Sequence, residues 1–271
     1  MADSLLCGLI GAGIQGSLSP ALQEAEALHH GLRLHFQLID LDRVQAGPEA
    51  LPMLVAAARV MGFAGLNITY PCKQSVIRLL DSLSGDALAI GAVNTLVREG
   101  TRLVGYNTDG SGWSRGFRRA LPKADLSRVV LLGAGGAGSA CADAVLRLGA
   151  AQLVIVDQDA PCAAALAKRL NERLDGNRAG ASSLIHATPT GMAGMPGMPL
   201  PEELLRRDMW ISDIVYVPLE TALLKAARWI GCETADGGHM NVGQAVGGFK
   251  LFTGLEADAA RMEAHFRRLV A

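Results

Sequence analysis

Short β-rich runs alternate with helical stretches along nearly the whole chain, and that alternation restricts it to parallel α/β layers. Strands are expected over 5–10, 34–39 and 65–69, and a hairpin over 92–97 and 103–106 turns at Arg98-Glu99-Gly100-Thr101. Further strands follow at 128–132, 152–156, 184–187, 210–215 and 232–235. Helical patterns cover 20–30, 52–61, 73–80, 110–120, 136–148 and 160–174. Pro122-Lys123-Ala124-Asp125 reads as a linker. Two closing helices, about 241–253 and 258–270, have no sheet left to cover in the second half, so they are expected to return to the first. Two domains follow: 1–109 completed by 237–271, and 110–236.

A chain of 271 residues can bury a core without disulfide or metal staples. The net charge of -1 gives no global attraction to nucleic acid or an anionic membrane. No apolar run reaches the roughly 18 residues of a spanning helix, and the N-terminus lacks a basic leader. Five scattered cysteines without C-x-x-C suggest neither a disulfide framework nor a zinc site. The six histidines lack metal spacing and read as helix-end or core residues. The expectation is a cytoplasmic protein, monomer or homodimer, with reduced thiols, no metal, and no nucleic-acid or membrane partner.

G-x-G-x-x-G occurs twice after a strand, at Gly11 to Gly16 and at Gly133-Ala134-Gly135-Gly136-Ala137-Gly138. Alone, the pattern is weak. The second run opens directly into a helix, whose N-terminus suits a pyrophosphate. The first is followed by Ser17-Leu18-Ser19-Pro20, which delays its helix. A ribose-binding carboxylate belongs about 20 residues on, at the end of the next strand. Asp157 fits that place; Asp40 and Asp42 fit the first turn loosely. The second turn is the expected dinucleotide site, against the alternative of a tight turn with no ligand. Asp157-Gln158-Asp159 offers carboxylates to ribose hydroxyls and no Arg to a 2′-phosphate, which favours NAD over NADP. Asp159 fits equally as the N-cap of the helix begun by Ala160-Pro161.

Upstream lie polar residues near strand ends, where open α/β sheets bind ligands. Ser19 before Pro20 fits a helix N-cap, but Ser17 is then unexplained, and two hydroxyls on one loop can hold a carboxylate. Lys73 follows N-I-T-Y-P-C at an expected helix start, where positive charge opposes the macrodipole. A residue that breaks a local rule is a functional candidate, the plainer reading being a tolerated surface Lys. Asp109 in N-T-D-G is either a turn residue or a carboxylate orienting Lys73. Such a proton-handling pair beside a hydride carrier points to an oxidoreductase acting on a small polar alcohol. Asn67, Thr69, Asn94 and Gln244 each suit a polyol hydroxyl or a local backbone group. Cys72 is assigned no role, and 192–198 (M-A-G-M-P-G-M) reads as an irregular or flap-like loop.

The ordered set S-L-S-P, G-L-N-I-T-Y-P-C-K, G-A-V-N-T-L, G-Y-N-T-D-G, G-A-G-G-A-G, A-T-P-T-G-M, D-I-V-Y-V-P-L-E-T and G-x-x-M-x-x-x-Q-A resembles the shikimate/quinate dehydrogenase family over nearly the whole length. The resemblance implies an N-terminal α/β substrate domain, a Rossmann-type dinucleotide domain and C-terminal helices returning to the first. It implies that Ser17 and Ser19 hold the substrate carboxylate and that Lys73 and Asp109 form the catalytic pair. Asn67, Thr69, Asn94, Tyr216 and Gln244 would line a cyclohexane or cyclohexene polyol. Thr188, Met192, Val215, Gly238 and Met240 would border the cofactor, alongside the 133–138 turn, Asp157 and Asp159. The paired Asp residues and Y-V-P-L-E-T-A-L-L-K-A-A resemble the NAD-using branch, which includes aminoshikimate-type relatives. Two Ser residues, rather than Ser with Thr, resemble a shikimate pocket more than a quinate one. A paralogue that only binds ligand is the rival from another class. Two departures stand out: the stretch from Leu170 to Thr188 is short for a β-α unit, and Gly247-Gly248 inside a helix implies close packing.

Overall fold

Strand β1 (Ser4–Gly11) is a continuous apolar run because both of its faces are covered, Leu6 and Ile10 facing one core and Cys7 and Leu9 another. Helix α1 (Ser19–His29), β2 (Arg33–Asp40), α2 (Leu51–Val60), β3 (Gly65–Ile68), β4 (Ser82–Leu83), α3 (Gly85–Ile90), β5 (Thr95–Glu99) and β6 (Arg102–Tyr106) follow. The computed structural model describes residues 4–170 and 183–270. The first sheet has the order β2-β1-β3-β5-β6-β4. β1 is parallel to β2 and β3, whereas β5 runs antiparallel to β3 and β6. The hairpin turns at Gly100, whose φ of 64° suits glycine.

The second sheet is wholly parallel. It is built from α4 (Asp109–Ala120), β7 (Val129–Leu132), α5 (Gly136–Arg147), β8 (Leu153–Val156), α6 (Ala160–Arg169), β9 (Ser183–His186), β10 (Trp210–Asp213), α7 (Ala222–Ile230) and β11 (Glu233–Ala235). Its order, β11-β10-β9-β7-β8, makes β7 and β9 the pair at which the strand order reverses. Helix α7 is capped by Thr221, which accepts from the Leu224 N–H, and stops at left-handed Gly231. Helices α8 (Gly238–Thr253) and α9 (Ala259–Leu269) close the chain.

By packing, the chain divides into Met1–Thr108 with Gln244–Ala271, and Asp109–Gly243. The second boundary falls inside α8, so 237–243 pack with the second unit, not the first as expected from the sequence. In the first unit, Ile10, Leu51, Leu66, Ile68, Val76 and Val93 share one core, and Phe36 packs with Phe252 of α8 on the other sheet face. α9 is tied to α1 by Arg261, which donates to buried Glu26 through Nε (2.8 Å) and Nη2 (2.6 Å). In the second unit, Trp113 stacks on Phe117, and the main core gathers around β7, β8 and α5. Here α4 and α8 meet backbone to backbone. A Cβ on Gly243 would lie 2.6 Å from Gly112 Cα, and one on Gly116 would overlap His239 Cβ.

Three expectations are corrected. The helix expected over 73–80 is a five-residue 3-10 turn, Ser75–Leu79, and Lys73 lies outside it. The chain before it is committed elsewhere: the Cys72 N–H bonds Thr69 O, and Lys73 O receives the Val93 N–H. After it, Leu80 turns extended, and Asp81 takes the Leu103 N–H at 2.7 Å. Ser19 is not an N-cap; α1 begins at Ser19 with Leu18 at the cap. β10 ends at Asp213 because its carboxylate bends the chain back to the Val215 N–H. Most of the short stretch between Leu170 and Thr188 lies outside the described residues.

Candidate active site

In the first unit the direction switch lies between the carboxyl ends of β1 and β3. Seven of the candidate residues flank this region or pack toward it. Ser17 and Ser19 share the loop after β1, with the Ser19 N–H donating to Ser17 Oγ at 3.3 Å. Asn67, the penultimate residue of β3, is buried. Its Nδ2 donates to Asn94 O (3.2 Å) and Thr95 Oγ1 (2.9 Å), while Oδ1 is buried with no hydrogen-bond partner. Asn94 precedes β5 rather than ending a strand. Because β5 is antiparallel to β3, its start lies beside the carboxyl end of β3. Asn94 clasps Thr108 twice, through Nδ2 to Oγ1 and from N–H to Oδ1, both at 2.9 Å. Thr108 in turn donates to Gln244 O at 3.1 Å. Asn67, Asn94 and Gln244 are thus one connected network.

Half-buried Lys73 is anchored next to this network, since its carbonyl receives Val93, the neighbour of Asn94. Half-buried Thr69 follows Asn67 by two residues, its N–H bonding Ile10 O. Gly247 of α8 has no room for a side chain, as a Cβ would stand 2.9 Å from Thr108 Cγ2. Gly248, by contrast, leaves ordinary contact distances to Asn67 and Gln23. Gln23 was missed in the sequence. It is fully buried on α1, donates to Ala245 O at 2.9 Å, and leaves its own Oε1 unpartnered. Its only signal was a polar residue on the apolar face of the helix.

The two glycine turns differ in how they use their carboxylate. A carboxylate offers about four acceptor positions. Asp40 receives Gly13 N–H, Asp42 N–H, Gln15 Nε2 and Ile14 N–H, all from its own loop or the first turn. Burial pushes its carboxyl up, and these donors more than offset that and hold it below its ordinary value. Its capacity is filled. Asp157, among the described residues, receives only Ala134 N–H (2.7 Å) and Asp159 N–H (2.9 Å). About two acceptor positions remain, which matches two vicinal ribose hydroxyls.

The second turn also fits a pyrophosphate sterically. Gly133 (φ 101°) would drive a Cβ to 2.5 Å from Ala187 O, and a Cβ on Gly138 would overlap Gly133 O. Gly135, the N-cap of α5, faces open space and supplies no capping side chain, so the first-turn N–H groups are left for an anion. Asp159 caps α6, accepting the Cys162 N–H, so the capping alternative is the one formed.

Thr188, Met192, Val215, Tyr216 and Gly238 lie after the carboxyl ends of β9, β10 and β11. Met240 is buried in the core with Trp113 and Phe117. Buried Asp109 opens α4 directly after Thr108. Beneath Thr188 and Val215 lies a network that sequence reading passed over: His186, Asp213 and Thr221. His186 and Asp213 end adjacent parallel strands in register. Among the described residues, no group of three metal-ligating side chains occurs, and no helix is long and apolar enough to cross a membrane.

Residues 9–96 match the family model for the shikimate dehydrogenase substrate binding domain. Shikimate dehydrogenase (NADP(+)) of Streptomyces avermitilis is 55% identical, covering 98% of this chain and 96% of the relative. Quinate/shikimate dehydrogenase (NAD(+)) of Corynebacterium glutamicum is 44% identical, covering 99% and 100%. The structure of quinate dehydrogenase from that organism in complex with NAD superposes with a TM-score of 0.90 at 44% identity, over 98% of this chain and 99% of that one. With family motifs, two-sheet fold and near full-length relatives in agreement, the chain belongs to the shikimate/quinate dehydrogenase family.

Proposed function

We propose that this protein reversibly oxidises a ring hydroxyl of shikimate or quinate with a nicotinamide dinucleotide, NAD in preference to NADP. The observation that carries the substrate reading is the buried, unpartnered Oδ1 of Asn67. A buried acceptor without a partner is costly, and a ligand hydroxyl relieves that cost. Ser17 and Ser19 donate to the ring carboxylate, while Thr69, Asn94, Tyr216 and Gln244 take further polar groups. Lys73 takes the hydroxyl proton as the carbinol carbon loses its hydride, and returns it in the reverse direction. Asp109 orients Lys73 and offsets its charge. When bound, the dinucleotide supplies or accepts the hydride.

NAD preference rests on Asp157. Its open acceptor positions suit a 2′-hydroxyl and repel a 2′-phosphate. The names of the relatives divide between the two cofactors, so the preference is a property to measure. Initial rates of nicotinamide reduction, for shikimate and quinate each with NAD and NADP, test the whole reading. Turnover is expected, faster with NAD. A higher kcat/KM with NADP reverses the cofactor assignment. A folded protein that turns over neither ring acid with either cofactor overturns the activity.

A further inference from the structure

His186 and Asp213 are fully buried in the second unit, and no step above uses them. His186 Nδ1 lies 2.9 Å from Asp213 Oδ1, and Nε2 lies 2.6 Å from Thr188 Oγ1. Asp213 also receives the Val215 N–H (3.0 Å) and the Thr221 hydroxyl (2.7 Å). Both ends of this chain of bonds are fixed by backbone: Thr221 caps α7, and Val215 follows β10.

The donor directions can be assigned link by link. A carboxylate only accepts, so Nδ1 carries a proton toward Asp213. With the imidazole neutral, Nε2 offers only a lone pair, and the Thr188 O–H donates to it. Thr188 Oγ1 also accepts the Thr190 N–H at 3.3 Å. Its single proton is spent inward. What half-buried Thr188 still presents outward is a lone pair, so it can accept from a ligand and cannot donate to one.

Sheet order says which part of a ligand passes there. Asp157 follows β8, the glycine turn follows β7, and Thr188 follows β9, the next strand across. Strands are spaced about 4.8 Å. With the adenosine ribose over β8 and the pyrophosphate over β7, the nicotinamide half crosses β9 and β10. That half carries hydrogen-bond donors, in ribose hydroxyls and the carboxamide NH2; a phosphate carries none.

We propose that His186, held by Asp213, is a positioning residue that fixes Thr188 as an acceptor for a donating group on the nicotinamide half of the dinucleotide. This rests on the dinucleotide reading above. It is tested by calorimetric binding, independent of turnover, using NAD against ADP and NADP against adenosine 2′,5′-bisphosphate. Thr188→Val should weaken the whole dinucleotide roughly tenfold, the value of one neutral hydrogen bond, and leave the half-molecule within about twofold. Thr188→Ser should match the parent. His186→Asn should weaken the dinucleotide alone, and the double variant with Thr188→Val should be no weaker than Thr188→Val. Unchanged dinucleotide affinity in Thr188→Val, or parallel losses for whole and half-molecules, overturns the proposal. If His186→Asn does not fold, His186→Gln takes its place in the same comparison, and a dinucleotide affinity unchanged from the parent in the folded His186 variant overturns its positioning role. A parent protein that binds neither dinucleotide instead sinks the reading on which the proposal stands.

Discussion

Asp40 and Asn67 are both buried polar side chains near the carboxyl edge of the first sheet, and they use their capacity in opposite ways. Asp40 is filled by its own loop, which makes the first glycine turn a structural clasp. Asn67 keeps an acceptor free in the midst of a satisfied network. Ser17, Asn67, Lys73 and Asp109 were legible as candidates because they sit in short contiguous signatures. Gln23 and His186 lie outside those signatures, and Asp213, although it opens D-I-V-Y-V-P-L-E-T, drew no role, because the Gln23 and His186–Asp213 contacts join residues 222 and 27 positions apart. The residue-scale prediction concerns Lys73. Lys73→Ala should lower kcat about 10²- to 10⁴-fold, with KM for the ring acid changed far less. Steady-state kinetics check it, and a loss confined to KM would remove Lys73 from the proton step.

Most strands and long helices were legible because apolar period and caps agree with the final packing: Asp159 and Asp258 cap α6 and α9. Helix α7 was not expected from the sequence, although Thr221 caps it and Gly231 ends it. The segment after Lys73 was not legible, since its apolar spacing suits a helix while flanking backbone bonds leave it only one short turn. Helix α6 offers a test of where the cofactor lies. Cys162 is the exposed thiol, whereas Cys7, Cys72, Cys141 and Cys232 are buried. Burial pushes Cys7 up to about 12 and raises Cys72 and Cys232. Cys162 is itself raised, by desolvation and by the charges of Asp159 and Asp157. Native alkylation should therefore be slow and confined to Cys162. Saturating NAD should slow it several-fold more by covering Asp157, as peptide mass spectrometry would reveal; an unchanged rate argues against ribose at that turn.

At the scale of the whole molecule, the return of the C-terminal helices was readable from a simple count of sheets and covering helices. The boundary inside α8 was not, because one continuous helical pattern carries no mark of where its packing partner changes. The tie that secures the return is Glu26, buried on α1 and gripped by Arg261 and the Asp258 N–H. Burial alone would push its carboxyl up; these donors more than offset that and hold it below its ordinary value. A lowered folded value means that the ionised group contributes stability above its unfolded value of about 4.3, and that this is lost as pH falls through the folded value. Glu26→Gln should cost about 1–3 kcal/mol at pH 7. In urea titrations the gap to the parent should shrink toward pH 3; a gap independent of pH would contradict the assignment.

The backbone-close meeting of α4 and α8 bears on how a saturation-mutagenesis map of this protein should be read. Gly116 and Gly243 have no space for even a methyl group. In a growth selection they should score as intolerant as the proposed proton-transfer residue Lys73, although they are helix-packing positions with no assigned role in the chemistry. A paired assay of protein abundance separates the two classes: glycine variants should disappear from the cell, whereas Lys73 variants, if Lys73 has the proposed proton-transfer role, should accumulate without activity.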